Sequence, residues 1–412
     1  MKSDIPQLMA QNDLDAIIVY GSTDTSSDLA YLTGGVHLEG ALYLHTRQHE
    51  PVLFSSVLER ENAQATGYTT RLWSEFPLGK YMKEANNDLL MARVAQWRDI
   101  LAEYEVQGKV GFYGKLDMGY AWRFLTTLTD VIPSIQIAGE TPPTIFTSAR
   151  ETKDAQEIEA MLSVGRATTS VIANVFDFLS SHKAQNDIVR KRNGEPLTIG
   201  DVKEFIRLEL AKRNLEEPHE NIFSQGRDAG IPHNAGRYDM PLELGKTIIF
   251  DIFPRDRATG YFHDITRTFF LGYAPDDLAQ RWQEVKLVFD EVMSQIEVGE
   301  PGGKFQQLTC HLFEMMNHPT ICIDPQTTSG YIHSLGHGVG LDIHENPRLS
   351  TLGMQTKLKP GHVVSVEPGL YYPEEGWGVR IEDTIAFDEN GEIINLSDFP
   401  YQMIIPVGNI HG

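Results

Sequence analysis

The stretch Gly245-Lys246-Thr247-Ile248-Ile249-Phe250-Asp251-Ile252-Phe253, followed by Gly260-Tyr261-Phe262-His263-Asp264-Ile265-Thr266, decides how this chain folds. Each of its two apolar, β-branched runs carries one acid, and a turn-forming segment separates them. The pattern recurs downstream. Gly245 precedes Asp251 by six residues, Gly260 precedes Asp264 by four, and Thr266 follows by two. Gly361 likewise precedes Glu367 by six, Gly378 precedes Glu382 by four, and Thr384 follows by two. A duplicated β-hairpin, with its copies facing one another about a pseudo-twofold axis, accounts for both blocks.

Side chains alternate faces along a strand, so Ile249, Asp251 and Phe253 share one face and Arg380, Glu382 and Thr384 another. Acids are almost never fully buried alone, because desolvating the anion is costly. Four of them in apolar hairpins would repel one another without a strong positive charge, which two divalent cations supply. The segment Tyr331-Ile332-His333-Ser334-Leu335-Gly336-His337-Gly338-Val339-Gly340-Leu341-Asp342-Ile343-His344-Glu345 adds three histidines within twelve residues. Its glycines argue for a loop or strand rather than a helix, and Ser334 stands where a zincin motif needs glutamate. His233, in Gly230-Ile231-Pro232-His233-Asn234, sits in a turn suited to a cavity rim. The other histidines (His37, His45, His49, His182, His219, His311, His318, His362 and His411) read as structural or surface residues, and His263 as facing away from the site. Sulfur-free, carboxylate-rich ligation favours Mn²⁺, Co²⁺, Fe²⁺ or Zn²⁺ over softer metals.

Outward from these motifs, the 412 residues suggest about two domains. Short strands at 15–20, 41–45, 51–55 and 109–113, with helices over 81–104 and 122–128, predict an α/β layer in the first part. The turn cluster Gly139-Glu140-Thr141-Pro142-Pro143 suits a boundary, giving domains 1–148 and 149–412. Helices are expected over 152–180, 199–213, 276–295 and 303–316, an exposed loop over 183–196, and strands over 247–253, 266–271, 363–366 and 379–387. The 35 Lys and Arg against 57 Asp and Glu leave a net charge of −22, which argues against nucleic acid or an anionic membrane surface. Two cysteines exclude a disulfide framework and an all-cysteine zinc site. With no apolar leader or spanning stretch, a cytoplasmic protein is the expectation.

The motifs IIFDIF…GYFHDITRTF, HSLGHGVGLDIHENP, VEPGLYY and GVRIEDT resemble those of the metallopeptidases that include methionine aminopeptidase, aminopeptidase P and prolidase. The likeness covers roughly residues 150–408. It implies an α+β pita-bread catalytic domain, a pseudo-twofold curved antiparallel sheet covered by helices. The segments Asp13–Val19 and Leu29–Gly34 resemble the smaller α/β creatinase-type domain that precedes it in prolidases and aminopeptidase P. Methionine aminopeptidases generally lack that domain and are set aside.

Carried over residue by residue, the resemblance implies that Asp251 binds one metal, His337 and Glu367 the other, and that Asp264 and Glu382 bridge them. His233, His333 and His344 match the family's substrate- and intermediate-contacting histidines, and Arg380 matches the arginine beside the last metal-binding glutamate, where it would either bind a substrate carboxylate or pair with Glu382 to orient it. Two divalent ions, Mn²⁺ first, would hold a bridging hydroxide that attacks an Xaa-Pro bond, with Glu367 shuttling the proton and His344 and His233 facing the oxyanion. The partner implied is a small peptide with proline at P1′, and a homodimer is expected. The Asp251–Asp264 interval of thirteen residues is longer than the family's usual one, and Phe253 replaces a small residue often seen there, which bears on the pocket rather than the ligands. The competing expectations are a non-peptidase metalloenzyme on this fold, such as a dimethylsulfoniopropionate lyase, and a non-catalytic peptide-binding module.

Overall fold

In the computed structural model, which describes residues 4–351 and 354–409, the chain divides into two compact units, Met1–Arg150 and Glu151–Gly412. His411, read above as structural or surface, lies outside the described residues. The first unit is built on a six-stranded sheet. Its strands run in the order Thr69–Leu72, Val52–Ser55, Ala41–Thr46, Ala16–Gly21, Gly108–Tyr113, Ile135–Ala138. Parallel and antiparallel pairs mix: Ala16–Gly21 runs antiparallel to Ala41–Thr46 and parallel to Gly108–Tyr113. Ile18, Leu44, Phe54, Trp97, Ile100, Val110 and Leu128 pack in one buried cluster. The helix expected over 81–104 is two, Leu78–Glu84 and Leu89–Glu103, because Asn86 and Asn87 take positive φ (53° and 66°) and end the first.

In the second unit, Thr247–Thr266 forms the expected hairpin. Ile248–Ile252 pairs antiparallel with Ile265–Leu271, and Asp251 stands opposite Thr266. Its second copy pairs Val363–Val366 with Asp383–Phe387, setting Ser365 opposite Thr384. A single bridge, Thr266 to Glu382, joins the two sheets. The threonines that mark the repeat make reciprocal contacts: Thr266 Oγ1 donates to Glu382 Oε2 at 2.7 Å, and Thr384 Oγ1 to the Asp264 carbonyl at 2.7 Å. Each hairpin thus braces the acid-bearing end of the other.

The strand expected over 379–387 is interrupted. Trp377–Arg380 pairs with Gly369–Tyr372, whereas Asp383–Phe387 pairs with Val363–Val366. Ile381 and Glu382 form the break, so strict alternation does not run from Arg380 to Thr384. The loop expected over 183–196 instead holds a small hairpin, Lys183–Gln185 with Ile188–Arg190, turned by Asn186 and Asp187 at φ 53° and 59°. Helix Ala155–Ser180 starts on a capping box: Asp154 accepts from the amides of Gln156 and Glu157, and Glu157 accepts from the Asp154 amide. Helices Asp276–Gln295 and Gly302–Met315 cover a core that includes Val285, Phe289, Phe305, Phe313, Val364 and Ile385. Cys310 and Cys322 are bonded to one another, a pairing for which two isolated cysteines gave no signal.

Candidate metal centre and substrate cavity

The break at Ile381–Glu382 and the two strand ends at Asp251 and Glu367 open onto one cavity of about 510 Å³. Asp251, Asp264, His337, Glu367 and Glu382 all line it, as do His233, His333, His344 and Arg380. Ligand atoms of Asp264, His337 and Glu382 lie within 4.8 Å of one another. His337 Nε2 stands 3.6 Å from Asp264 Oδ2 and 3.4 Å from Glu367 Oε1. Its other nitrogen is 3.1 Å from the Gly338 carbonyl. A proton on Nδ1 satisfies that carbonyl and turns the Nε2 lone pair toward the acids, the tautomer a metal ligand needs.

The acids are held where anions are unwelcome. Burial, together with the neighbouring carboxylates Glu382, Asp251 and Glu367, drives the Asp264 carboxyl well above its ordinary range. Burial and then Glu382 do the same to Glu367, and burial followed by Asp251 pushes Glu382 up to about 8. Burial, then His344, brings His337 down to about 3. Asp251 Oδ1, Asp264 Oδ1 and Glu382 Oε1 are buried with no hydrogen-bond partner. Buried polar atoms are normally satisfied, so three orphaned carboxylate oxygens around a lone imidazole nitrogen fit hard or borderline divalent cations.

Behind the acids runs a chain of donors. Arg380 Nη2 donates to Asp251 Oδ2, Nε to Thr266 Oγ1 at 3.1 Å, and Nη1 to the Tyr371 hydroxyl at 2.7 Å. Tyr371 lies 2.9 Å from His333 Nε2, and His333 Nδ1 lies 2.7 Å from the Ser334 carbonyl. Arg380 and His333 both line the cavity, and in the structure their polar atoms are bonded within the protein, to Asp251, Thr266, Tyr371 and the Ser334 carbonyl. Burial and Arg380 hold His333 down to about 3. His344 packs edge-on against His337 with ring centroids 4.4 Å apart, and burial followed by Arg348 lowers its pKa.

Three cavity residues escaped the reading of the sequence. Arg348, opposite His337 in the strand register, is a lining guanidinium with no carboxylate in ion-pair range among the described residues. It follows the histidine cluster closely and could have been found as a cation in a site of acids. Glu220 also lines the wall, paired with Lys203 Nζ at 2.6 Å, and so does His219, an exposed residue at the cavity edge. No spacing signal marks either. His263 turns away as expected and rests against Ser397 Oγ at 3.1 Å. Phe253 lines the cavity.

A model described as metallopeptidase family M24 matches residues 159–389, more than half of the chain. An Xaa-Pro dipeptidase of Pyrococcus furiosus is 35% identical over 184 residues, 44% of this chain and 49% of that protein. The match therefore spans about half of that relative's length. A probable dipeptidase PepE of Mycobacterium tuberculosis is 27% identical over 293 residues, 68% of this chain and 70% of the relative. Among solved structures, an Xaa-Pro dipeptidase from Bacillus anthracis aligns with TM-score 0.75 at 21% identity, covering 97% of this chain and 98% of that one. An X-Pro aminopeptidase from Thermotoga maritima aligns with TM-score 0.76 at 16% identity, covering 97% and 100%. At these identities the likeness establishes the fold, which is the expected pita-bread arrangement preceded along the chain by a smaller α/β unit.

Proposed function

The chain belongs to metallopeptidase family M24, and from that premise we propose that it hydrolyses Xaa-Pro dipeptides with two divalent cations held by Asp251, Asp264, His337, Glu367 and Glu382. The observation that carries this reading is the gathering of orphaned carboxylate oxygens and a lone imidazole nitrogen at one cavity wall. Bound there, such ions would supply Lewis acidity and lower the pKa of a bound water to about 7. Manganese suits the oxygen-rich set best.

The chain's own residues supply the rest. Glu367 takes the proton of the attacking water and returns it to the leaving proline nitrogen, a base-then-acid role for a carboxylate that lines the cavity. His344 and His233 donate to the oxygen of the scissile carbonyl as negative charge develops. A bond to proline offers no N–H, and nothing in this arrangement asks for one. Arg348 pairs with the substrate's C-terminal carboxylate, and this favours a dipeptidase over an aminopeptidase that accepts longer chains.

Hydrolysis of Gly-Pro, Ala-Pro and Ala-Pro-Gly, with elemental analysis of the purified protein, tests the reading. Metal-dependent cleavage of the dipeptides alone is expected. Cleavage of Ala-Pro-Gly would move the assignment to an aminopeptidase P, and bound metal without cleavage would favour a lyase. A homodimer completes the proposal. The Cys310–Cys322 bond counts against a reducing compartment, so a thiol count on protein taken from fresh lysate bears on the location. No helix among the described residues is long and apolar enough to cross a membrane.

A further inference from the structure

Lys153 has no place in the mechanism above, yet it is one of the most deeply buried cations in the second unit. Its side chain is 2% exposed, and Nζ donates to Glu345 Oε2 at 2.9 Å, where the Glu345 side chain is 6% exposed. An ion pair taken this far from water is poor value for stability alone, since apolar residues of similar volume would often serve as well or better. What the pair holds is informative. Glu345 directly follows His344, and the turn that presents His344 is wound around the Glu345 carboxylate.

The amide of Asp342 donates to Glu345 Oε1 at 3.0 Å, and the amide of Gly340 donates to the Asp342 carbonyl at 3.1 Å. Gly338 stands opposite Glu345 in the strand pairing, just past an irregularity at His337. Gly340 must be glycine for the carboxylate to fit, because a Cβ there would fall 2.3 Å from Glu345 Oε2. Lys153 is itself anchored. Its amide donates to the Gly361 carbonyl at 2.7 Å, and Thr152 bridges His362, at the foot of the strand leading to Glu367. One ammonium thereby ties the start of helix Ala155–Ser180 and the Glu367 strand to the His344 turn.

We propose that Lys153 is a positioning residue for His344, acting through Glu345 to fix the imidazole's distance from the scissile carbonyl. Oxyanion donors act through pre-set geometry, so a small displacement weakens the transition state more than substrate binding. The inference rests on His344 being such a donor.

Lys153→Met tests it. The variant is expected to fold and to keep its metal by elemental analysis, with kcat for Gly-Pro down at least tenfold and KM within about threefold. In the His344→Ala background the same substitution should cost less than a further twofold, since the two residues would act as one unit. In protein labelled at histidine ¹³Cε1, the His344 signal, assigned by its loss in His344→Gln, should shift or broaden in Lys153→Met. Should the loss of the ammonium beside Glu345 prevent folding, Lys153→Met/Glu345→Gln removes both charges and carries the same expectations. Additive losses, a fall in kcat matched by lost metal, or an unmoved His344 signal would each overturn the positioning role. Full turnover in His344→Ala would sink the donor reading instead, and the His344 signal would still decide whether Lys153 holds that ring.

Discussion

Glu382 shows what the site asks of single residues. One carboxylate oxygen accepts from Thr266 and the other has no partner, while burial and Asp251 raise its pKa to about 8. Cations relieve that situation, and ligands that bind only the folded state stabilise it. Glu382→Gln is therefore expected to lose most of the bound metal and, with it, the drop in melting temperature that a chelator causes in the unsubstituted protein. Calorimetry with and without chelator checks this, and an undiminished chelator effect would remove Glu382 from the ligand set. Arg348 makes a second residue-scale prediction. A charge-assisted hydrogen bond contributes about 1.5–3 kcal/mol, so Arg348→Ala should raise KM for Ala-Pro by roughly tenfold to a hundredfold. Ala-Pro amide, which lacks the carboxylate, should be cut equally well by both proteins. An equal loss on the two substrates would refute the pairing. That the five expected positions meet at one cavity was legible because acids inside apolar strands are costly and His337 stands between glycines, whereas His344 was legible only through the family resemblance. His219 and Glu220 were not, since an isolated polar residue resembles any solvated one until the fold sets it at a cavity edge, whereas Arg348 could have been found as a cation close behind the histidine cluster.

At the scale of elements, the repeated hairpin was legible because its spacing preserves strand register, and register fixes which side chains meet. The Thr266 and Thr384 contacts come from the same spacing. The break at Ile381–Glu382 was not legible, because a run that alternates apolar and polar residues reads as one strand until two different partners compete for its halves. The missed hairpin at 183–190 did carry a signal. Asn186 and Asp187 are turn formers flanked by Gln185 and Ile188, and both adopt left-handed backbone. Glycine takes φ near +60° without steric cost. Asp187→Gly should therefore leave activity unchanged and stabilise the protein slightly, by up to about 1 kcal/mol less the entropy glycine gains on unfolding. Replacement by Val, β-branched and ill-suited to this φ, should lower the denaturation midpoint. Equal midpoints for the two variants would mean that the turn geometry is wrong.

For the molecule as a whole, sensitivity to acid is written into a buried histidine outside the cavity lining. His362 is fully buried, and burial, with Lys359 and Lys153 adding to it, lowers its pKa to about 3. Its Nδ1 accepts from the Lys359 amide at 3.2 Å, so the neutral ring is the form that fits, and the Glu151 carboxylate at 3.9 Å from Nε2 is the facing acid. In the unfolded chain the same imidazole titrates near its ordinary value of about 6.5. A folded pKa below the unfolded one means that the unfolded state binds the extra proton as pH falls. Stability from His362 is then complete above about pH 6.5 and is lost progressively toward pH 3, at up to about 1.4 kcal/mol per pH unit. Between pH 6.5 and 5 that amounts to about 2 kcal/mol. His362→Asn keeps an acceptor for the Lys359 amide and cannot protonate in this range. Its unfolding free energy should lie below that of the unsubstituted protein at neutral pH, and the gap should close by about 2 kcal/mol on going to pH 5. Denaturant unfolding at both pH values measures the gap, and two parallel curves would show that His362 is not the group through which acid destabilises this fold.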